Sequence, residues 1–227
     1  MTLSTTAPNF MHDPVLESHH LVCEKPQTRR GIERRLALLL SATELFLEKG
    51  YDAVSLDDIV NHAGGSKTSI YKYFGNKDGL FTAICDYRRE MFFKDICIAF
   101  QPEQTSLKDY LIQTLIRFYK HIIQPEHIAF LRLVIEQTQC NATLSQYLYE
   151  KCALDVQNTI AQALLISHQS GEITCTSPDH SSLMYFGILR DIEWRMIMGM
   201  PLPPNETEVI DYINYCVDIF LKGHHKV

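Results

Sequence analysis

The sequence lacks the patterns that mark an enzyme, a secreted scaffold or a membrane protein. Its ten glycines and nine prolines mostly fall between periodic segments, which excludes a low-complexity chain and favours long helices. No uninterrupted apolar run of about 18 residues occurs, so no membrane span is expected. The first residues have no basic start followed by an apolar stretch, so a cytoplasmic protein is expected rather than a secreted one. The seven cysteines (Cys23, Cys85, Cys97, Cys140, Cys152, Cys175 and Cys216) form no CxxC pair and read as small apolar fillers in a reducing compartment. His12, His19 and His20 have no further ligand at suitable spacing, so no metal site is expected. GxSxG, HExxH and phosphate-binding glycine loops are absent, leaving no catalytic residue and no cofactor to nominate.

What is present is enough apolar material for a core, at 46% of 227 residues, in one large domain or two modest ones. The net charge of −6 is unevenly spread. Residues 25–80 carry nine Lys/Arg against seven Asp/Glu, whereas residues 1–24 sum to −3 and residues 81–227 to −5. A basic block on an acidic body suits a DNA-binding head on a body that avoids DNA.

Residues 1–26 show no helical period and read as a flexible arm. Thr28 is a plausible cap for a helix over 28–49, with Ile32, Leu36, Leu39, Leu40, Phe46 and Leu47 at helical spacing and Gly50 closing it. Arg29, Arg30, Arg34 and Arg35 crowd its first half against the helix dipole; nearby phosphate would explain them, and a solvated basic face is the alternative. Ser55 caps a short helix to about His62, Ala63-Gly64-Gly65 makes a turn, and Ser66 caps a second short helix to Phe74. Gly75-Asn76 breaks the chain before a longer helix from Lys77 to about Ile98. Further helices are expected over 106–123, 126–139, 142–170, 179–199 and 205–222, with 172–178 a loop.

The segment 55–80 has the form of a helix-turn-helix, whose second helix enters the major groove while the first crosses the backbone. Ile70 and Phe74 are spaced to anchor that helix, leaving its polar face for DNA. Thr68, Ser69 and Tyr71 suit base edges, while Lys67, Lys72, Tyr73 and Lys77 suit phosphates. Thr28, Arg29, Ser55 and Ser66 add backbone grip through helix N-termini and charge.

Gly50-Tyr51, Ser55, Ile59, Ala63-Gly64, Ser66-Lys67, Ile70-Tyr71, Tyr73-Phe74 and Asn76-Lys77-Asp78-Gly79-Leu80 closely resemble the TetR/AcrR family of bacterial transcriptional regulators, over about residues 30–85. Gly65 departs from the apolar residue usual there, which predicts a looser turn, and Thr68-Ser69 replaces the commoner Gly-Thr pair. The resemblance implies an all-α homodimer of about nine helices per chain: a three-helix head over 27–76 and a ligand-binding and dimerisation domain over 77–227. It implies a repressor on a pseudo-palindromic operator, relieved by a small ligand that shifts the helix 78–100.

The last two helices are the expected dimer interface, carried by Leu183, Phe186, Leu189, Trp194, Ile197, Ile213, Val217 and Phe220. An effector pocket is expected around Phe92, Phe118, His121, Phe130, Arg132, Glu136 and Tyr147, of which Arg132 and Glu136 read equally as an i,i+4 ion pair and the aromatics as core. The expected partners are double-stranded DNA, a second copy and an unknown effector, with no membrane. The competing classes are an enzyme, which no motif supports, and a dimeric interaction module or activator of the same fold.

Overall fold

A computed structural model describes residues 26–201 and 205–224, with only the backbone for 152–155. The arm, His12, His19, His20 and Cys23 lie outside the described residues.

All regular structure in the described residues is helical. Helix α1 (Arg29–Lys49) starts at Thr28, whose hydroxyl accepts the Gly31 N–H, and ends at Gly50 with φ +82°. Helix α2 (Leu56–Ala63) has a full capping box, with the Ser55 hydroxyl taking the Asp58 N–H and the Asp58 carboxylate taking that of Ser55. Helix α3 (Lys67–Phe74) and helix α4 (Lys77–Ile96) follow, and the Asn76 side chain caps α4 through the Gly79 N–H. The body contains α5 (Leu107–Ile122), α6 (Pro125–Cys140) and α7 (Ala142–Leu148). It continues with α8 (Leu154–Gln169), α9 (Pro178–Gly187), α10 (Arg190–Ile197) and α11 (Glu206–Lys222).

Two expected rods differ in detail. The helix over 142–170 exists but passes through a π-helical turn at Tyr149–Ala153. The single helix expected over 179–199 is instead α9 and α10, broken at Ile188-Leu189 just after Gly187, a poor helix former. The break buries Leu189 completely. Counted as rods, the described residues give the nine helices expected. None is long and apolar enough to cross a membrane among the described residues.

Two apolar cores form. One joins α5, α8, α9, α10 and α11, with Leu111, Leu115, Leu164, Tyr185, Leu189, Ile213 and Val217 at its centre. The other is the core of the head, built from α1 to α4 around Leu38, Phe46, Ile59, Ile70, Phe74 and Phe81. It also takes in Phe130 and Leu133 of α6 and Leu144 of α7. Packing therefore runs across the residue 76 boundary expected for the head.

Leu189, Ile213, Val217 and Phe220 were expected to face a partner copy. They are corrected to the chain's own body core, because α11 turns this stripe inward on α5. A second stripe on α11, Tyr212, Tyr215 and Ile219, points outward, and Tyr215 is 66% exposed. Leu183, Met184 and Trp194 on α9 and α10 are exposed too. Phe186 and Ile197 are half-buried.

Candidate nucleic-acid interface

The turn between α2 and α3 is held from outside by α1. Arg34 Nη1 donates to the Ala63 carbonyl at 3.1 Å, closing the C-terminal end of α2. The guanidinium then lies over Gly65, where a Cβ would stand 1.3 Å from Nη2. Gly65 also has φ +110°, a conformation that side chains with a Cβ rarely adopt. The glycine that predicted a looser turn thus admits an arginine that covers it. Arg35 lies over the Phe74 ring at 5.0 Å, gripping the far end of α3. Arg29 pairs with Glu33 at 2.9 Å on the surface. Three of the four crowded cations therefore have intramolecular work, and Arg34 and Arg35 clamp the two ends of α3.

The interior face of α3 is Ile70 and Phe74, both buried in the head core. Its outer face carries Lys67, Thr68, Tyr71 and Lys72, all exposed, with Ser69 and Tyr73 half-buried beside them. Tyr71 is 54% exposed, far more than an aromatic ring needs for packing. Ser66 makes no side-chain bond to a backbone N–H of α3; its hydroxyl shares a hydrogen bond with Ser69 Oγ at 3.5 Å. The Lys67 ammonium pairs with Asp57 of α2 at 2.7 Å, and this hydrogen bond raises its pKa. The pair ties the start of α3 to α2.

Other nominated positions are occupied differently. The Ser55 hydroxyl and N–H are both spent on Asp58, whose carboxyl is held below its usual range by those bonds. Thr28 caps α1. Lys77 was expected on a phosphate, but its Nζ turns inward, donating to the Tyr51 carbonyl at 2.5 Å and sitting 4.1 Å from the Tyr51 ring. Burial lowers its pKa. The Tyr51 hydroxyl donates to Asp78, and burial, reinforced by that carboxylate, raises the phenol pKa strongly. Lys77, Tyr51 and Asp78 thus form a polar clasp between the head and the first turn of α4.

From that clasp a ring chain leads into the body. Tyr51 and Phe46 both touch Phe81 of α4, at 5.3 and 6.1 Å, and Phe81 meets Phe130 of α6 at 6.3 Å. Arg88 lies over Phe130 at 4.5 Å and pairs with Glu126 at 2.6 Å. Phe130 is therefore part of the head core rather than an effector wall.

The remaining residues nominated for a pocket divide. Phe92, Phe118 and His121 do meet, with ring centroids 5.9 and 4.9 Å from Phe92, and His127 joins His121 at 4.4 Å. Burial, then repulsion from His121 and Arg88, pushes the His127 pKa down to about 3. Tyr147 donates instead to Asp86 at 2.8 Å. Arg132 is corrected: rather than pairing with Glu136, it donates to the carbonyls of Ile197 and Met196 at 2.8 and 2.9 Å, capping the end of α10. Glu136 is exposed. An open hollow of about 440 Å³ lies elsewhere, between α10 and α11, lined by Asp191, Arg195, Glu208 and Tyr212.

Sequence reasoning named Arg34 and Arg35 without their contacts inside the head, and it missed the outward stripe of α11. The stripe had a signal: Tyr212, Tyr215 and Ile219 also recur at helical spacing, but the more aliphatic stripe beside them is the stronger apolar pattern.

Comparison with known proteins bears on this arrangement. The profile described as bacterial regulatory proteins, tetR family, matches residues 38–84, which span most of α1, all of α2 and α3 and the start of α4. The profile described as AefR-like transcriptional repressor, C-terminal domain, matches residues 109–225, more than half of the chain. The chain belongs to the TetR family of bacterial regulatory proteins. In sequence the chain is also similar to the transcriptional activator FasR of Mycolicibacterium smegmatis, 42% identical over 52 residues, covering 23% of this chain and 24% of FasR. The repressor ComR of Escherichia coli is 40% identical over 63 residues, covering 28% of this chain and 30% of ComR. The chain thus spans under a third of either relative. A putative TetR-family regulator from Mesorhizobium loti shares the fold over 88% of this chain and 100% of its own, with TM-score 0.75 and 22% identity.

Proposed function

We propose that this TetR-family protein is a homodimeric repressor that binds a pseudo-palindromic operator and is released by a small-molecule effector. The observation that carries the reading is the outer face of α3: exposed Thr68, Tyr71 and Lys72 on a short helix clamped at both ends by Arg34 and Arg35. A helix held this rigidly presents side chains at fixed positions to a groove about 12 Å wide. Thr68, Ser69 and Tyr71 read bases; Lys67 and Lys72, with Ser66 and Tyr73, hold phosphates.

One head makes too few contacts to be specific among genomic sites. Two heads about 34–36 Å apart read successive major grooves, which requires a dimer. Tyr212, Tyr215 and Ile219, with Leu183, Met184 and Trp194, form the contact in this reading. The effector acts through α4, whose first turns are locked to the head by Lys77, Tyr51 and Phe81 and whose later turns meet the Phe118 and His121 rings. It shifts the heads only to the extent that it binds the two spacings unequally.

Selection of bound duplexes from a random pool at low salt tests this. Enrichment of an inverted repeat with half-sites one helical turn apart is expected, and a pool that converges on no repeat would sink the proposal. FasR, matched over 52 residues, is named an activator. Activation here would need only a different operator position, and a promoter fusion with and without the protein decides the direction.

A further inference from the structure

Arg117 sits in the body on α5 and is half-buried. Its Nε is sealed from solvent and has no hydrogen-bond partner. Nη2 donates to Thr114 Oγ1 at 3.2 Å, a neutral hydroxyl that itself donates to the Tyr110 carbonyl at 2.8 Å. No carboxylate of the described residues forms an ion pair with it, whereas Arg29, Arg88, Arg190 and Arg195 each have one. The nearby phenols do not supply a counter-charge. Tyr110 donates to the Ile98 carbonyl at 2.9 Å and Tyr185 to the Leu111 carbonyl at 2.6 Å, and burial keeps both protonated.

A guanidinium in such a place is costly unless something negative meets it, since a buried charge without a partner loses hydration and gains nothing. The fork of Nε and an Nη has the spacing of a carboxylate, which it grips by two parallel bonds. Beside it stands apolar material of the right kind. Phe118, the next residue, meets Phe92 of α4 at 5.9 Å and Phe186 of α9 at 6.0 Å. These rings join α4, α5 and α9 one position along from Arg117.

We propose that the effector is an organic acid, its carboxylate held by Arg117 and its apolar body lying against Phe92, Phe118 and Phe186. This rests on the reading that the body binds an effector, and it adds the ligand's charge and class. A neutral or cationic effector would leave Nε as it stands, sealed and unpaired.

The test is direct calorimetric titration of the full-length protein, without DNA, using benzoate and octanoate against benzamide and octanamide. At least one acid should bind tenfold or more tightly than its amide. Arg117→Gln should remove that preference, lowering the acid's affinity at least tenfold while leaving the amide's unchanged. Arg117→Lys should keep part of it. Acid and amide binding within twofold of one another, no binding of either acid, or undiminished acid binding by Arg117→Gln would each overturn the proposal. Amides that bind and release the protein from its selected duplex would leave the effector reading standing while removing the anionic class. Duplex binding by each variant also shows that the head remains folded.

Discussion

The cover of Arg34 over Gly65 can be tested by a double-mutant cycle. Gly65→Ala imposes two separate costs. An alanine at φ +110° is strained by about 1 kcal/mol at the low end of what sparsely populated backbone regions cost. Its Cβ would also occupy the guanidinium's place, 1.3 Å from Nη2, so Arg34 must swing away and lose its bond to the Ala63 carbonyl. A bond from a charged donor is worth about 1.5 kcal/mol or more. Gly65→Ala should therefore cost about 2.5 kcal/mol in the native background. In an Arg34→Ala background the bond is already gone, and only the backbone term of about 1 kcal/mol should remain. The coupling between the two positions is then about 1.5 kcal/mol. Urea unfolding at one fixed protein concentration measures it, since the stability of a self-associating protein depends on concentration. Additivity within about 0.5 kcal/mol would refute the reasoning and show that the arginine does not occupy the space over the turn.

Four further outcomes are expected. Lys72→Ala should weaken binding to all duplexes and reduce the salt slope by about 0.9, and Thr68→Ala should chiefly change base preference. Lys77→Ala should leave that slope unchanged and instead lower head stability by about 1 kcal/mol through its lost ring contact, read by urea unfolding. Tyr215→Asp should yield a folded monomer by sedimentation and circular dichroism, whereas Val217→Asp, on the inward stripe, should unfold the body. Acid should destabilise the protein through His127: its folded pKa, about 3, lies below the ordinary value of about 6.5, so the unfolded chain takes the proton first. This contribution is fully present above pH 6.5 and is lost as the pH falls towards 3, amounting to about 2 kcal/mol by pH 5. His127→Gln should flatten the pH dependence by that amount in urea titrations.

The helix order was legible because its signals are local. Ser55 with Asp58 and Asn76 before Gly79 act within one turn, so spacing alone located them, whereas Pro178, read as loop, is the first residue of α9. The outward face of α3 was legible for the same reason: Ile70 and Phe74 fix which side of an eight-residue helix turns inward. What the sequence could not convey depends on distant partners. Arg34 reads as one more surface cation until Gly65, 31 positions away, is brought under it. Lys77 reads as a phosphate ligand until the Tyr51 ring arrives beneath it. On α11 two apolar stripes stand side by side, and only the docking of α5 decides which is inside. Arg132 belongs to an ion pair by local spacing, and to the end of α10 by tertiary contact across 64 positions.

Phe130, Leu133 and Leu144 lie in the same core as the recognition helix's own anchors. The segment that touches DNA therefore cannot be lifted out as a cassette. A chimera joining residues 27–76 to the body of another regulator would lose the floor on which Phe81 rests, and it would do so without altering any residue that meets the duplex. Exchange of operator specificity between relatives should succeed through the few exposed positions of α3, transplanted singly, and fail through whole heads unless α6 and α7 travel with them.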